Sequence, residues 1–182
     1  MDVLGLTGST YGVPPMWDAC PKMVGEAVTI KLGPTGYVGL QNTHLCVGAI
    51  ASAKPGDVIV IDNGGDLVNS TWGGLLSNNA KSKGLAGTVS DGMVRDVDDF
   101  VESNYPVYAR GPVVRTSRGR VTEYAVNEMV QFAGVQVRPG DIVIADRSGI
   151  TFVPHERYQE VPWVASTTRT APSQAARDRD TS

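Results

Sequence analysis

Cysteine is scarce in this chain of 182 residues: Cys20 and Cys46 are the two. They form no CxxC pair and make no disulfide framework, so a reducing compartment, the cytoplasm, is the default expectation. Long apolar runs are missing as well. None approaches the roughly 18 residues that a membrane-spanning helix needs, so no membrane partner is expected. The opening MDVLGLTGSTYGVPPMWD has neither the basic region nor the apolar core of a signal peptide. Charge of one sign is not in excess. A net charge of −3 gives no electrostatic case for nucleic acid as a partner. Several nucleotide and nucleophile motifs are absent: GxGxxG, GxxxxGK[ST] and GxSxG do not occur. Asp62-Asn63-Gly64-Gly65 is only a faint echo of a nucleotide or S-adenosylmethionine loop. His44 and His155 stand apart with no zinc-type spacing and read as structural or surface residues.

What is present fits a single soluble α/β domain, 41% hydrophobic and 19% charged. The chain is organised around the stretch from Lys54 to Val101. A Pro55-Gly56-Asp57 turn opens a β-branched run, Val58 to Ile61, that reads as a buried strand. Asn63 to Asp66 close it in a loop. Ser70 or Thr71 is placed to cap a helix carrying Leu75, Leu76 and Ala80, with Gly84 as its stop. A second short strand, Ala86 to Ser90, leads through Asp91-Gly92 to Arg95-Asp96 and a helix over Val97 to Ser103. Two strand ends followed by polar or glycine-rich loops are where ligand sites form in α/β folds.

Elsewhere, residues 1–23 are rich in Gly and Pro and read as an irregular N-terminal segment. Val24 to Leu32 alternates like a strand that Gly33-Pro34 breaks. His44 to Ala53 is a short helix candidate, with Cys46 a small core residue. Tyr105 to Arg110 and Tyr124 to Phe132 read as strands. Residues 111–122 carry Arg115, Arg118 and Arg120 and look like an exposed loop or hairpin. The unit Pro55 to Asp62 is echoed by Pro139 to Asp146, two turn-then-strand segments of similar shape. From Ala165 to Ser182 there is almost no large apolar residue, so a mobile tail is expected.

The sharpest chemical signal is Arg95-Asp96. An arginine fork holds a carboxylate through parallel hydrogen bonds, and an adjacent aspartate can ligate Mg²⁺, a hard ion that keeps several waters. Backbone amides at the start of the 70–82 helix can bind an anion. Together these suit a small α-keto acid. The alternative is a surface ion pair or a helix N-cap. Asp98, Asp99 and Glu102 form an acidic helix face that is either solvated or in reach of metal-bound water.

The motifs Val24-Gly25-Glu26-Ala27-Val28-Thr29, Pro55 to Asp62 and Trp72-Gly73-Gly74-Leu75-Leu76 resemble the RraA-like family. So do Gly84, Gly87, Asp91-Gly92, Arg95-Asp96-Val97, Pro106-Val107, Gly134 to Val137, Pro139 to Asp146, Gly149 and Pro154. They cover roughly residues 24–160 in the family's order. The family is named for the regulator of ribonuclease activity A, and it also contains 4-hydroxy-4-methyl-2-oxoglutarate aldolases that often decarboxylate oxaloacetate.

The resemblance implies a three-layer β/β/α domain of the swivelling type over residues 24–164, assembled as a homotrimer or hexamer with its site between subunits. It implies Asp96 as the ligand of Mg²⁺ or Mn²⁺, partly through water. Arg95 and the backbone of Gly73, Gly74, Leu75 and Leu76 would bind the pyruvate-like part of the substrate, with Arg95 and Asp96 the catalytic pair. The expected activity is that of a metal-dependent carbon–carbon lyase working through a pyruvate enolate. The alternative is a non-catalytic regulator of the ribonuclease-binding type. The aldolases carry an acid after the Arg-Asp pair with two residues between, a pattern met by Asp99, placed to reach metal-bound water, and the purely regulatory members tend to lack it. Against this, the aldolases have Gly-Asp-Leu-Leu where this chain has Gly73-Gly74-Leu75-Leu76, and that aspartate helps organise the catalytic water. Glu156 or Glu160 is the acid that would reach a neighbour's metal shell.

Overall fold

A computed structural model describes Gly5, residues 7–36 and residues 44–161. The tail expected over 165–182 lies outside these residues. Strand β1, Met23–Pro34, is the spine of the molecule. Parallel strands β2 (Val58–Asp62), β4 (Gly87–Ser90) and β6 (Val107–Tyr108) follow on one side of it. On its other side β11 (Ile142–Asp146) pairs antiparallel with Met23–Glu26, and β8 (Val121–Val126) pairs with Ile30–Pro34. Strand β12 (Gly149–Val153) closes the far edge beyond β11. A hairpin of β9 (Val130–Phe132) and β10 (Val135–Val137) stands apart.

All five residues of β2 are buried, as a parallel strand covered on both faces requires. Its alternation sorts side chains between two cores. Ile59 and Ile61 face a cluster that holds Ala49, Ile50, Ala80 and Phe100. Those residues come from the three helices: α1 (Val47–Ser52), α2 (Gly74–Ser82) and α3 (Val97–Ser103). Val58 and Val60 face Phe132, Val143, Ala145 and Phe152 on the all-β side, where the rings of Phe132 and Phe152 meet edge to face at 5.3 Å. The result is a curled mixed sheet with helices on one face and strands on the other, the β/β/α order expected. Truncating Ile59 or Ile61 to Ala would cost about 2–5 kcal/mol at such a site. Among the described residues no helix is long and apolar enough to cross a membrane.

The two Pro-Gly-Asp turns flank the same stretch of β1. Asp57 Oδ2 accepts from the Lys54 amide and Asp141 Oδ2 from the Arg138 amide, so each turn is closed by its own aspartate. Gly25 runs so close to the Gly56 carbonyl that a Cβ there would overlap it.

Three expected elements differ. Ser70 and Thr71 do not cap a helix. They belong to strand β3, Ser70–Trp72, where the Thr71 hydroxyl bonds Ser90 Oγ at 2.9 Å and the Met93 carbonyl at 3.1 Å. Gly73 is the N-cap of α2 instead, with extended backbone. The run from Tyr124 to Phe132 is not one strand, because Asn127 takes a left-handed conformation, φ 57°, between β8 and β9. β1 continues through Gly33-Pro34, since Gly33 accommodates the Tyr124 ring and pairs with Thr122.

α2 is tied at its far end to both neighbours. Lys81 Nζ donates to the Ser103 carbonyl at the end of α3, at 2.5 Å, and Lys83 Nζ donates to the Ala51 carbonyl of α1. Each ammonium therefore sits at the negative end of a helix.

Candidate active site

A small three-stranded parallel sheet builds the site: β3, then β5 (Met93–Val94), then β7 (Gly111–Pro112). Its strands end side by side. β3 delivers Gly73 and the start of α2, and β5 delivers Arg95-Asp96. The Arg95 amide donates to the Trp72 carbonyl at 3.0 Å, which fixes the two strand ends in register. Trp72 is buried, and its indole N–H bonds Ser77 Oγ at 2.7 Å, locking α2 to the strand that feeds it.

Asp96 has φ 59° and ψ 45°, a left-handed backbone that a non-glycine residue rarely adopts. It stands as the N-cap of α3, yet its carboxylate does not cap that helix. The turn aims it across at α2, where Oδ2 accepts the Gly74 amide at 3.1 Å and lies 3.4 Å from Arg95 Nε. Of the two structural roles that sequence allowed this pair, the ion pair is present, and the carboxylate's hydrogen bond goes to the other helix. Both side chains are about half exposed.

The first intrahelical bond of α2 runs from the Ser77 amide to the Gly73 carbonyl at 3.0 Å. The amides of Gly74, Leu75 and Leu76 therefore lack helical acceptors. Gly74 is taken by Asp96. The Leu75 and Leu76 amides have no acceptor among the described residues, and Asp96 Oδ1 has no donor there. Two amides at the positive end of a helix, a guanidinium and one open carboxylate oxygen thus face a single cavity of about 780 Å³. Gly73 is needed here: a Cβ would stand 2.7 Å from Asp96 Oδ2 and 3.2 Å from Arg95 Nε. At Gly74 a Cβ would meet the carboxylate of Asp99, an exposed side chain that reaches over the start of α2.

Gly73, Leu75, Leu76, Arg95 and Asp96 are thus brought together, with Gly74 and Asp99 just behind. Asp98 and Glu102 do not line the cavity. Glu156 pairs with Arg138 at 3.0 Å and Glu160 with Arg157 at 2.6 Å, both at the surface. His155 Nδ1 lies 3.1 Å from the Gly140 carbonyl, away from the site. Two parts of the wall carried no site signal in the sequence. One is His44 with Thr35. The other is the loop Thr116–Gly119, which a bridge between Thr116 and Ser70 lays against β3. It holds one arginine, Arg118, with Arg115 and Arg120 just outside it.

A family model described as RraA-like, Aldolase/RraA, matches residues 1–152. DlpA of Legionella pneumophila is 35% identical over 88% of this chain, which spans 26% of DlpA's length. A Halalkalibacterium halodurans protein named "Putative 4-hydroxy-4-methyl-2-oxoglutarate aldolase" is 31% identical over 86% of this chain and 71% of its own. Among solved structures, Streptomyces coelicolor RraAS2, described as an unusual member of the RNase ES inhibitor RraA protein family, superposes with a TM-score of 0.77. It is 29% identical over 92% of this chain and 82% of its own.

Proposed function

The chain belongs to the RraA-like family, and from that premise we propose that it is a divalent-metal-dependent lyase that cleaves α-keto acids to pyruvate. The observation that carries this reading is the division of labour at Asp96. One carboxylate oxygen is held by Gly74 and Arg95, while the other, with the Leu75 and Leu76 amides, is left facing the cavity.

The donors suit Mg²⁺ or Mn²⁺. Among the described residues no cluster of three metal-binding side chains exists, which argues against zinc, whose sites take several protein ligands. Mg²⁺ makes do with one or two carboxylates and keeps its waters. Asp96 would hold the ion through Oδ1, and any further protein ligand would come from a neighbouring subunit. When bound, the ion supplies a Lewis acid at the keto oxygen.

The chain's own residues do the rest. Arg95 and the amides of Leu75 and Leu76 hold the pyruvate-like carboxylate and keto group, fixing the bond to be broken. In decarboxylation of oxaloacetate the electrons of the C3–C4 bond pass into the enolate, carbon dioxide leaves, and water returns a proton to C3. In retro-aldol cleavage a base must first take the C4 hydroxyl proton. The Asp99 carboxylate, standing at Gly74 in place of the usual aspartate side chain, is the group we assign to position the water for that transfer.

The test is pyruvate release from a panel of α-keto acids with Mg²⁺, with Mn²⁺ and after EDTA. Release that EDTA abolishes and metal restores is the expected result. No release under any of these conditions would leave a non-catalytic binding protein on the same scaffold.

A further inference from the structure

We propose that Arg110 is a positioning residue of the site: seated by the N-terminal segment, it grips the turn at Asp91-Gly92 and so sets where β5 carries Arg95 and Asp96. This rests on the active-site reading above and adds to it a residue that lies outside the cavity wall.

Residues 8–16 join the two outer strands of the large sheet, β12 and β6. At one edge the Thr10 amide donates to the Ile150 carbonyl at 3.0 Å and the Phe152 amide to the Gly8 carbonyl at 2.8 Å. At the other the Met16 amide donates to the Val107 carbonyl at 3.0 Å and the Ala109 amide to the Pro14 carbonyl at 3.1 Å. Val13, between the two anchors, is buried in the all-β core. A segment that reads as irregular in sequence is therefore a strap over both edges, and its second anchor is the residue just before Arg110.

The guanidinium of Arg110, half-buried, is flanked by two glycines. At Gly12 of the strap a Cβ would stand 3.2 Å from Nη1, and at Gly65 one would stand 3.8 Å from Nε. Gly12 has φ 70°, so its backbone as well as the arginine disfavours a side chain. Arg110 makes no ion pair among the described residues. Its donors go to backbone: Nε to the Asp91 carbonyl at 2.6 Å, and the amide to the Gly92 carbonyl at 3.0 Å. Thr71 Oγ1 donates to the Met93 carbonyl at 3.1 Å and the Val113 amide to that of Val94 at 2.7 Å. Every carbonyl from Asp91 to Val94 thus has a donor, and Arg110 supplies the two at the base. Gly92 is three residues before Arg95, about 10 Å along an extended chain. A displacement of the turn is carried along that short strand to the Arg-Asp pair at its tip.

The experiment sets Arg110→Met, similar in reach but without a side-chain donor, and Arg110→Lys, which keeps one, beside the native full chain. Two quantities are read well below the melting temperature: amide hydrogen exchange without metal, and kcat for pyruvate release with Mg²⁺. In Arg110→Met, exchange over residues 91–96 should quicken while that of β2 stays native. Its kcat should fall about tenfold or more, the scale of misplaced reacting groups, and Arg110→Lys should lie between. If Arg110→Met does not fold, Arg110→Lys is read by the same two measurements. Native exchange over residues 91–96, or native kcat in the variant, overturns the proposal and leaves the active-site reading standing. Exchange that quickens throughout the chain makes Arg110 a stabilising residue only and also overturns it. If the native chain releases no pyruvate, the active-site reading falls and this proposal falls with it.

Discussion

The Asp99 carboxylate fills the space in which a side chain on Gly74 would begin. One residue is the first of α2 and the other lies in the first turn of α3, so the two helices share one position for one acid. Gly74 is not at positive φ, and the obstacle to a larger residue is therefore Asp99 and not the backbone. Gly74→Asp alone should lower the melting temperature, because it sets a second carboxylate against that of Asp99. Asp99→Ala alone should impair aldol cleavage more than oxaloacetate decarboxylation, because only the former needs a base. Gly74→Asp combined with Asp99→Ala should recover both stability and the aldol reaction. A double variant no better than either single one, in thermal melts and in pyruvate release, would refute the shared position.

Asp96→Asn should reduce metal-dependent pyruvate release by about 100-fold or more, the scale of losing a metal ligand or an electrostatic anchor. Asparagine tolerates the left-handed backbone of this residue, so the fold should survive. Mn²⁺ binding followed by electron paramagnetic resonance separates lost metal from lost catalysis. Undiminished release by the variant would rule out the assignment.

Stability should carry a signature of Asp91. This residue is 3% exposed, and burial pushes its carboxyl up despite the hydrogen bond from the Asn63 amide, with the nearby Asp62 adding to the rise. A carboxyl raised in the folded state holds its proton more tightly there than in the unfolded chain. Its contribution is then most favourable below the ordinary carboxylate value of about 4 and is lost as the pH climbs through the raised value. Asp91→Asn keeps an acceptor for the Asn63 amide and removes the titration. Between acid pH and neutrality the native protein should therefore lose ground to this variant in thermal melts. The opposite trend would mean that the hydrogen bonds outweigh burial.

Leu67, Leu75 and Val114 are 60, 78 and 93% exposed, large apolar groups that a partner surface would cover. Light scattering at micromolar concentration should give a trimer or hexamer. A monomer would count against a site shared between subunits and against the acid we expect a neighbour to supply.

Much of this was legible in the sequence because its signals are local. Val58 to Ile61 is apolar on both faces and reads as a buried strand, and the strand is buried throughout. Val97 to Ser103 follows an Arg-Asp turn with acids in its first turn, and the helix has those bounds. The failures come from distant partners. A hydroxyl residue ahead of an apolar run signals a cap, but Ser70 and Thr71 find β5 and Ser90 and become strand. Asn127 is of a type that enters the left-handed region more readily than most, and reading Tyr124 to Phe132 as one strand passes over it. The wall formed by residues 116–119 depends on a bridge to Ser70, and local pattern does not encode it.

The lysines at the end of α2 have a mechanical consequence. With Lys81 on α3 and Lys83 on α1, and with Trp72 clamped to Ser77 at the front, the helix is a beam fixed at both ends. These ties oppose a pivot of α2, so its first amides keep their place beside Arg95 and Asp96. Adjustment to substrates of different length falls to the far side of the cavity. Substitutions at Lys81 or Lys83, remote from any reacting atom, would be felt at the site as a loss of alignment.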